Sequence, residues 1–464
     1  LPAGAEAPRH YDNLDFPPLP EIQLPKYERY QLANGMVVYL IQDRELPLVS
    51  GTALIRTGTR LEPATEVGLA EITTTVMRTG GTQRHSPEEL NELLENQAAV
   101  VETAIDKTSA TVSFNALSED LPEIFNLWAE VIQEPAFAPA QLTLAQTQMR
   151  GEIARRNDNP GDIASREFKK LIYGDNSPYA RTAEYATLNQ ISPEDLRSFH
   201  QTYVRPERII LGIVGDFDPA AMKQQIEKAF GSWNPPPAPP AAAIPQASQK
   251  KQGGIFLADQ PQLTQSNILL GHLGGKLDSP DYPALTVLNG VLNGFGGRLF
   301  NDVRSRQGLA YSVYGFWQAN YDYPGLFLAG GQTRSEATVP FVESLQQEIE
   351  RLRSEPISEA ELNYAKDSIL NSFVFNFENP SQTLARLMRY EYFGYPADFI
   401  FQYQQGVKAT TTQDIQRVAN KYLDPKRAVI LVVGNSKAIN PPLGKLGEGV
   451  KSLDVSIPPP KKGY

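Results

Sequence analysis

Apolar and polar positions follow two different periods along this chain of 464 residues. Residues 27–43, YERYQLANGMVVYLIQD, alternate with a period of two around an Asn-Gly pair. Because Asn-Gly is a strong signal for a tight turn, this segment is predicted to form a β-hairpin. Residues 118–137, SEDLPEIFNLWAEVIQEPAF, instead space their apolar side chains three and four apart, which predicts a helix.

Helix-start signals precede several other amphipathic stretches. Ser86 opens a capped helix that runs on into strand-like residues by position 106, and Ser192 opens another. Residues 68–81, GLAEITTTVMRTGG, read as a helix that ends at a Gly-Gly stop. The order of strands and helices predicts an α+β fold, in which each domain has a mostly antiparallel sheet with helices packed on one face.

The sequence contains an internal repeat. Residues 203–215, YVRPERIILGIVG, are repeated 219 positions later as YLDPKRAVILVVG. Such self-similarity at a nearly constant offset indicates a tandem duplication. The pairs of similar segments are 203–215 with 422–434, 192–203 with 411–422, and 159–174 with 379–394.

A proline-rich stretch, NPPPAPPAAAIPQASQKKQGG, divides the two copies and has the composition of an extended, semi-rigid linker. The sequence therefore predicts two tandem homologous domains together with two terminal segments and a linker. In chain order, the five parts are an extended Pro-rich N-terminal segment at 1–26, a first domain at 27–233, the linker at 234–254, a second domain at 255–440 and a C-terminal tail at 441–464.

Composition narrows the possible partners and chemistry. The formal charge is −10, so no overall positive field favours nucleic acid as a partner. Cysteine is absent, which excludes disulfides, thiolate metal sites and cysteine nucleophiles. Apolar runs are too short for a transmembrane segment. The proline-rich start favours an exported or periplasmic protein, and a cytoplasmic or organellar location remains open.

Two stretches carry a resemblance to a known family. Residues 296–315, GGRLFNDVRSRQGLAYSVYG, and residues 58–82, GTRLEPATEVGLAEITTTVMRTGGT, resemble segments of the pitrilysin or insulinase-like (M16) zinc metallopeptidases. The similarity is greatest to the two-domain, processing-peptidase-like branch and spans residues 27–440. It implies a peptidase-like chain made of two related domains.

Active members of this family carry His-x-x-Glu-His on a helix, which places two imidazoles on one face to bind zinc beside a glutamate base. The resemblance puts the two ligand positions on Glu71 and Thr75, the base on Thr74, and a third ligand on Glu152. Only one of the three ligands remains as the family has it. The resemblance therefore implies a zinc-less subunit that binds no cofactor itself, with zinc expected in its partner.

Two other interpretations of these positions stay open. Glu71, Thr75 and Glu152 form an oxygen-only set that suits calcium or magnesium better than zinc, which would make the chain a metallopeptidase on its own. Alternatively, Thr73, Thr74 and Thr75 are small packing residues whose hydroxyls bond to carbonyls one turn earlier. The scattered histidines at positions 10, 85, 200 and 272 are expected to be structural or exposed residues, not ligands.

The second domain keeps a different feature of the family. In its catalytic complexes, an Arg and a Tyr seven residues apart are associated with substrate binding near the zinc of the other half. The pattern RSRQGLAY matches Arg304 and Tyr311, with Gly308 expected to end the helix that carries Arg304. The competing interpretations are a surface salt bridge for Arg304 and a core aromatic for Tyr311. The Gly-rich turn LNGFGGRLF lacks the Lys-Ser/Thr of a phosphate loop and is expected to connect two helices.

These observations lead to two functional hypotheses. The first is a non-catalytic, substrate-binding subunit of a heterodimeric metalloendopeptidase, inactive alone and paired with a homologous chain that carries His-x-x-Glu-His. Arg304 and Tyr311 would contribute to the partner's active site, and the substrate would be an unfolded peptide bound by strand addition to a sheet edge. The second is a structural or peptide-holding homodimer that has no proteolytic partner.

Overall fold

The structure of the protein is a computed structural model that describes residues 22, 24–237 and 239–460. It contains two six-stranded sheets, one in each copy of the repeat. The Pro-rich segment expected at 1–26 lies almost entirely outside the described residues. No helix in the described ranges has both the length and the apolar composition that crossing a membrane requires.

The first sheet has the spatial order β1-β2-β6-β3-β5-β4. Neighbouring strands are antiparallel except β2 and β6, which run parallel. The hairpin predicted from the Asn-Gly pair is present, with Glu28 opposite Leu40 and Gly35 at a φ of 93°. The strands are β1 (Glu28–Gln31), β2 (Val37–Gln42), β3 (Leu48–Ile55), β4 (Val100–Ile105), β5 (Ala110–Leu117) and β6 (Ile209–Gly215).

Eight helices belong to the same half in the described residues. Ser86 and Ser192 cap two of them through reciprocal side-chain and backbone hydrogen bonds, as the sequence predicts. Short 3₁₀ turns at Thr59–Leu61, Ala64–Glu66 and Pro206–Arg208 connect elements. The helices are α1 (Leu69–Thr79), α2 (Pro87–Asn96), α3 (Leu121–Gln133), α4 (Pro139–Arg155), α5 (Pro160–Tyr173), α6 (Tyr185–Leu188), α7 (Pro193–Tyr203) and α8 (Pro219–Ile226), the last continued by a π turn at Glu227–Gly231.

The second sheet has the order β14-β7-β13-β8-β12-β10, and a separate pair joins β9 to β11. Strand β13 is parallel to β7 and antiparallel to β8. The strands are β7 (Ile255–Asp259), β8 (Gln265–Leu273), β9 (Gly275–Lys276), β10 (Ala310–Trp317), β11 (Ala319–Asn320), β12 (Leu326–Arg334), β13 (Val429–Gly434) and β14 (Lys451–Ser452).

The helices of the second half follow the order of the first. A π-helical segment at Leu299–Arg306 takes the place of α2, and 3₁₀ turns lie at Ser335–Ala337, Phe373–Phe377 and Leu443–Leu446. The helices are α9 (Tyr282–Leu292), α10 (Thr338–Ser354), α11 (Glu359–Ser372), α12 (Pro380–Phe393), α13 (Phe399–Ala409) and α14 (Thr412–Tyr422).

The duplication is visible in the sheet topology. Strands β2, β6, β3, β5 and β4 occupy the same successive positions in the first sheet as β7, β13, β8, β12 and β10 in the second. The parallel pair is also the same in each, β2 with β6 and β7 with β13. The predicted α+β fold with two tandem homologous domains is confirmed.

Each sheet packs its own helices on one face and receives a helix of the other domain on the opposite face. Leu384, Leu387 and Met388 of α12 pack against Tyr39 and Ile41 of the first sheet. Reciprocally, α5 of the first domain packs against strands of the second sheet through Ile163, Phe168 and Leu171. Because α5 and α12 are the repeated segments 159–174 and 379–394, the duplicated unit exchanges equivalent helices across the domain interface.

The linker and the tail pack more closely than their composition suggests. Pro245 of the linker accepts a hydrogen bond from the Tyr179 hydroxyl at 2.7 Å, and Lys250 donates its backbone N–H to Ile172. The segment assigned to a C-terminal tail supplies β14, which pairs with β7 at the edge of the second sheet. This strand had no sequence signal because it spans only two residues.

Candidate functional site

Helix α1 carries the positions that correspond to the family's metal site. Thr74 is buried, and its hydroxyl donates a 2.8 Å hydrogen bond to the carbonyl of Ala70 one turn earlier. Thr73 is buried as well, and its hydroxyl has no hydrogen-bond partner in the described part of the chain. Thr74 is therefore a packing residue whose hydroxyl is satisfied within its own helix, as the packing interpretation expects.

The ligand positions lie near one another but do not form a zinc site. Glu71 and Glu152 are both accessible, yet partial desolvation by the surrounding protein raises the pKa of Glu71 and the negative charge of Glu152 raises it further. In the described ranges, no three His, Cys, Asp or Glu side chains are grouped closely enough to hold a metal ion. Two carboxylates and one hydroxyl do not fit zinc, which in catalytic sites has three strong protein ligands.

A buried carboxylate holds the start of α1. Glu62 is 6% exposed, and its Oε2 accepts hydrogen bonds from the backbone N–H groups of Gly68 at 3.1 Å and Ala70 at 3.0 Å. Burial raises the pKa of Glu62 to about 7, although these bonds and the charges of Arg181 and Lys107 oppose the rise. The first turn of the degenerate site is thus anchored by a carboxylate that titrates near neutral pH.

An open depression of about 790 Å³ lies beside α1 and β4. Its lining includes Thr75 and Arg78 from α1, with Val101 and Thr103 from β4. Strand β4 is at the edge of the first sheet and has no neighbouring strand on its outer side. Arg78 of α1 donates to the Val101 carbonyl of β4 at 2.9 Å, so part of this edge is already bonded. This depression lies next to the degenerate metal-site positions.

The second domain brings Arg304 and Tyr311 together. The guanidinium carbon of Arg304 lies 4.8 Å from the ring centre of Tyr311 and 4.7 Å from that of Phe300. The planar cation therefore lies within cation–π distance of two aromatic rings, a contact that favours arginine over lysine. Gly308, at a φ of 62°, ends the helical segment and donates its N–H to the carbonyl of Arg304.

Tyr311 lies at an irregular position of edge strand β10. The pairing with β12 shifts between Ala310, opposite Thr333, and Ser312, opposite Gln332, so Tyr311 is the extra residue of a β-bulge. Its side chain is 84% exposed. Bulges often redirect a side chain next to an active site, and this one presents the phenol to solvent instead of the core.

The neighbouring arginines are engaged elsewhere. Arg298 pairs with Glu361 at 2.6 Å, and Arg306 pairs with Asp302 at 2.6 Å. Arg304 forms no ion pair with any carboxylate in the residues that the structure describes. The salt-bridge interpretation of Arg304 and the core interpretation of Tyr311 are therefore wrong, and Arg304 is the arginine of this segment whose charge is uncompensated.

Comparison with family models shows which protein family this chain belongs to. The family model described as insulinase (peptidase family M16) matches residues 37–182, and the model described as peptidase M16 inactive domain matches residues 190–369. The chain belongs to the M16 peptidase family. Within it, this chain lacks the His-x-x-Glu-His motif, because Glu71, Thr74 and Thr75 occupy those positions.

Relatives of this M16 chain are named zinc proteases. An uncharacterized zinc protease of Bacillus subtilis, YmxG, is 26% identical over 363 residues, which cover 77% of this chain and 86% of the relative. An uncharacterized zinc protease of Rickettsia felis is 25% identical and covers 84% of this chain and 93% of the relative.

Solved structures show the same fold. A Pseudomonas fluorescens protein described as a peptidase M16 inactive domain matches with a TM-score of 0.80 at 24% identity, covering 90% of this chain and all of that one. A Helicobacter pylori protease matches with a TM-score of 0.76 at 21% identity, covering 89% of this chain and 100% of that one. At these identities the likeness extends to the fold alone.

Sequence reasoning missed one neighbour of Arg304 in this M16 chain. Phe300 supplies the second ring against Arg304, and exposed Phe295 lies 5.0 Å from it, between ring centres. A signal for Phe300 does exist, because it precedes Arg304 by four positions, the spacing at which helical side chains meet. Phe295 lies in the glycine-rich turn, where no spacing rule points to a contact.

Proposed function

We propose that this chain is the non-catalytic, substrate-binding subunit of a heterodimeric M16-type zinc metallopeptidase. The observation that carries the proposal is the pairing of an uncompensated Arg304 with an exposed Tyr311, in a chain whose own metal-site positions are Glu71 and Thr75. The recognition groups are present here without the catalytic ones. A partner chain with His-x-x-Glu-His would supply the zinc and the base.

Arg304 and Tyr311 would bind the substrate beside the partner's zinc. A guanidinium and a phenol are strong hydrogen-bond donors to a peptide carbonyl, and both can stabilise the oxygen as negative charge develops on it. Stacking on Phe300 and Tyr311 restricts the guanidinium before the substrate arrives. Such preorganisation reduces the entropy lost when the substrate binds.

The substrate class that fits is an unfolded peptide. Edge strands β10 and β4 each have no neighbouring strand on one side. Side chains bond part of these edges, with Asn289 and Asn293 on Trp317 and Gly315 of β10 and Arg78 on Val101 of β4, so an added peptide would pair with the remaining backbone groups. Extended peptides bind such edges through main-chain hydrogen bonds, which are independent of sequence. Folded proteins cannot present an unpaired extended segment in this way, so the complex would act on peptides or unfolded segments.

The test is reconstitution with a His-x-x-Glu-His chain recovered with this protein from its native extract. Arg304→Ala is expected to lower kcat/KM for an unstructured peptide about 100-fold, the order expected for loss of one oxyanion donor. Arg306→Ala is the matched control, because Arg306 lies on the same segment but pairs with Asp302. Equal effects of the two substitutions, or unchanged turnover with Arg304→Ala, would contradict the proposed role.

Tyr311→Phe separates the two parts of the tyrosine side chain. The ring that stacks on Arg304 is kept, while the hydroxyl donor is lost. If the phenol bonds the substrate, Tyr311→Phe lowers kcat and Tyr311→Ala adds only a further loss from the stack. If only the stack matters, Tyr311→Phe behaves as the native chain.

A second candidate is a peptide-holding homodimer, and the depression of about 790 Å³ beside edge strand β4 favours it. In that case the chain binds unfolded peptides without cleaving them and is recovered from its native extract only with itself. Fluorescence anisotropy of a labelled unstructured peptide measures this binding directly. Binding by the purified chain without a partner of the His-x-x-Glu-His type would favour this candidate over the heterodimer.

A further inference from the structure

The second domain contains a pocket of about 410 Å³ whose lining excludes Arg304, Tyr311 and the metal-site positions. Helices α9, α11, α12 and α13 and the turn after β11 form its walls. Aromatic rings make up half of the lining residues, which are Tyr282, Tyr321, Phe373, Tyr390, Phe399 and Tyr403. Its volume falls within the usual range for small-ligand sites.

The phenols of this pocket are neutral donors. Burial raises the pKa of Tyr282, Tyr390 and Tyr403 above the usual value for tyrosine. The hydroxyls of Tyr321 and Tyr390 have no hydrogen-bond partner in the described part of the chain. Apolar rings with unpaired hydroxyls fit a ligand that has both an aromatic body and a polar group.

One charged side chain lines the same pocket. Arg386 Nη2 donates to the backbone carbonyl of Asn376 at 2.9 Å and to its side-chain oxygen at 3.2 Å. Its Nη1 is buried without a partner, and no ion pair to Arg386 exists among the residues that the structure describes. Burial lowers the pKa of Arg386, and only tyrosines, not carboxylates, oppose that effect. Arg386 is partly buried, so the water that its guanidinium loses is replaced by no internal anion, and a ligand carboxylate would supply one.

The duplication provides an internal reference for Arg386. Arg166 is the equivalent residue of α5, 220 positions earlier, and it also donates to an asparagine side chain, that of Asn157, at 2.7 Å. In that copy the next residue is Glu167, whose carboxylate accepts from Arg166 Nε at 2.8 Å. The corresponding residue of α12 is the buried Leu387. The second domain thus has the equivalent arginine without an internal carboxylate beside it.

We propose that this pocket binds an aromatic carboxylate, whose ring packs among the tyrosines and whose carboxylate pairs with the unpartnered Nη1 of Arg386. The ligand is either a free aromatic acid or the C-terminal residue of a peptide that ends in an aromatic side chain. Both present the same chemistry to Arg386. The site is separate from the proposed peptidase role, so either can fail without the other.

Calorimetric titration of the full chain with 3-phenylpropionate tests the proposal, with the neutral 3-phenylpropanamide as its control ligand. The acid is expected to bind at least about tenfold more tightly than the amide, because a carboxylate forms a charge-assisted hydrogen bond with the guanidinium and a neutral amide does not. Arg386→Gln is expected to remove this preference. Arg334→Gln, which removes an exposed charge of the same domain, is expected to preserve it.

A second variant tests the same pocket in case Arg386→Gln does not fold. Ser372 is exposed at the pocket, so Ser372→Trp fills the space without changing the core, and it is expected to weaken binding of the acid at least tenfold. Equal affinity for acid and amide, no binding of either by the native chain, or a preference that survives Arg386→Gln would overturn the proposal.

The source of the ligand follows from two further titrations. A tetrapeptide of three alanines and a C-terminal phenylalanine is compared with the same peptide amidated at its C-terminus. Binding of the free-acid peptide as tightly as 3-phenylpropionate supports a peptide C-terminus as the ligand. Binding of 3-phenylpropionate alone supports a small aromatic acid.

Discussion

Arg60 and Asp322 join the two domains through two parallel hydrogen bonds, from Nη1 to Oδ1 at 3.0 Å and from Nη2 to Oδ2 at 2.6 Å. Arg60 is 3% exposed, and the Asp322 side chain is 23% exposed. The bidentate geometry is the strongest form of this interaction. It lies beside the stacked rings of Tyr179 and Tyr323, whose centres are 4.3 Å apart, one ring from each domain.

Breaking this pair is expected to destabilise the protein strongly. Asp322→Ala leaves Arg60 buried without its anion, and we expect a loss of about 3 kcal/mol in the free energy of unfolding measured with urea. The control is Asp216→Ala, which breaks an exposed pair with Arg44 at 3.8 Å and should cost less than about 1 kcal/mol. Similar losses for the two variants would show that the interdomain pair contributes no more than a surface pair.

Glu62 predicts an unusual pH dependence. Its pKa is about 7 in the folded chain, above the value of about 4.3 for an unfolded glutamate. A group whose pKa rises on folding stabilises the protein fully below its unfolded pKa, and this contribution is lost as the pH rises through the folded pKa. Stability is therefore expected to fall between about pH 4.5 and 7, by an amount on the order of 3 kcal/mol from this group.

Thermal unfolding between pH 4.5 and 8 measures this effect. Glu62→Gln keeps an oxygen that accepts from Gly68 and Ala70 but cannot ionise, so its midpoint should depend less on pH than that of the native chain. Glu88→Gln, at an exposed position of α2, should leave the native dependence unchanged. A Glu62→Gln profile parallel to the native one would mean that Glu62 does not titrate in this range.

Local elements of this fold were predictable because their signals are local. Ser86 and Ser192 begin helices through capping bonds that involve only the next three residues, and the Asn-Gly hairpin needs only its own turn. The repeat likewise follows from residue identities alone. The hydrogen bonds that select these caps and this turn join residues that are close together in the sequence.

Contacts between distant segments were not predictable in the same way. The amphipathic pattern of α5 shows that one face is buried, but not that the sheet of the other domain covers it. The lone Arg386 also escaped sequence reasoning, although the duplication contained the signal, because Glu167 and Leu387 differ at equivalent positions. For the Arg304 site, the family spacing identified two residues and only the structure shows the ring of Phe300 against them.

Substitution of Gly212 tests the packing of α12 on the first sheet, and substitution of Gly151 serves as its control. A Cβ at Gly212 of β6 would lie 2.3 Å from the Met388 sulfur and 3.1 Å from a Leu384 methyl, so α12 packs directly on this backbone. Gly212→Ala is expected to cost about 1–3 kcal/mol through overpacking. Gly151→Ala, in the interior of α4 with open space around it, should instead stabilise the chain by about 0.5–1 kcal/mol. Opposite signs in urea denaturation check both.

The positions assigned to the degenerate metal site lead to a last prediction. Glu71 and Thr75 are four residues apart on α1, so their side chains share one face, and Glu152 is close enough to raise the pKa of Glu71. Replacing both helix positions, Glu71→His with Thr75→His, would therefore complete a His₂Glu set of the kind that holds catalytic zinc.

We expect this double variant to retain one zinc ion per chain after dialysis, and the native chain to retain none. Adding Glu152→Gln should weaken zinc binding at least tenfold, because a neutral amide is a poorer ligand than a carboxylate. The double variant should still not hydrolyse peptides, since Thr74 cannot act as the base that the family places there. Zinc retention no greater than that of the native chain would show that α1 and α4 do not direct these three positions to one point.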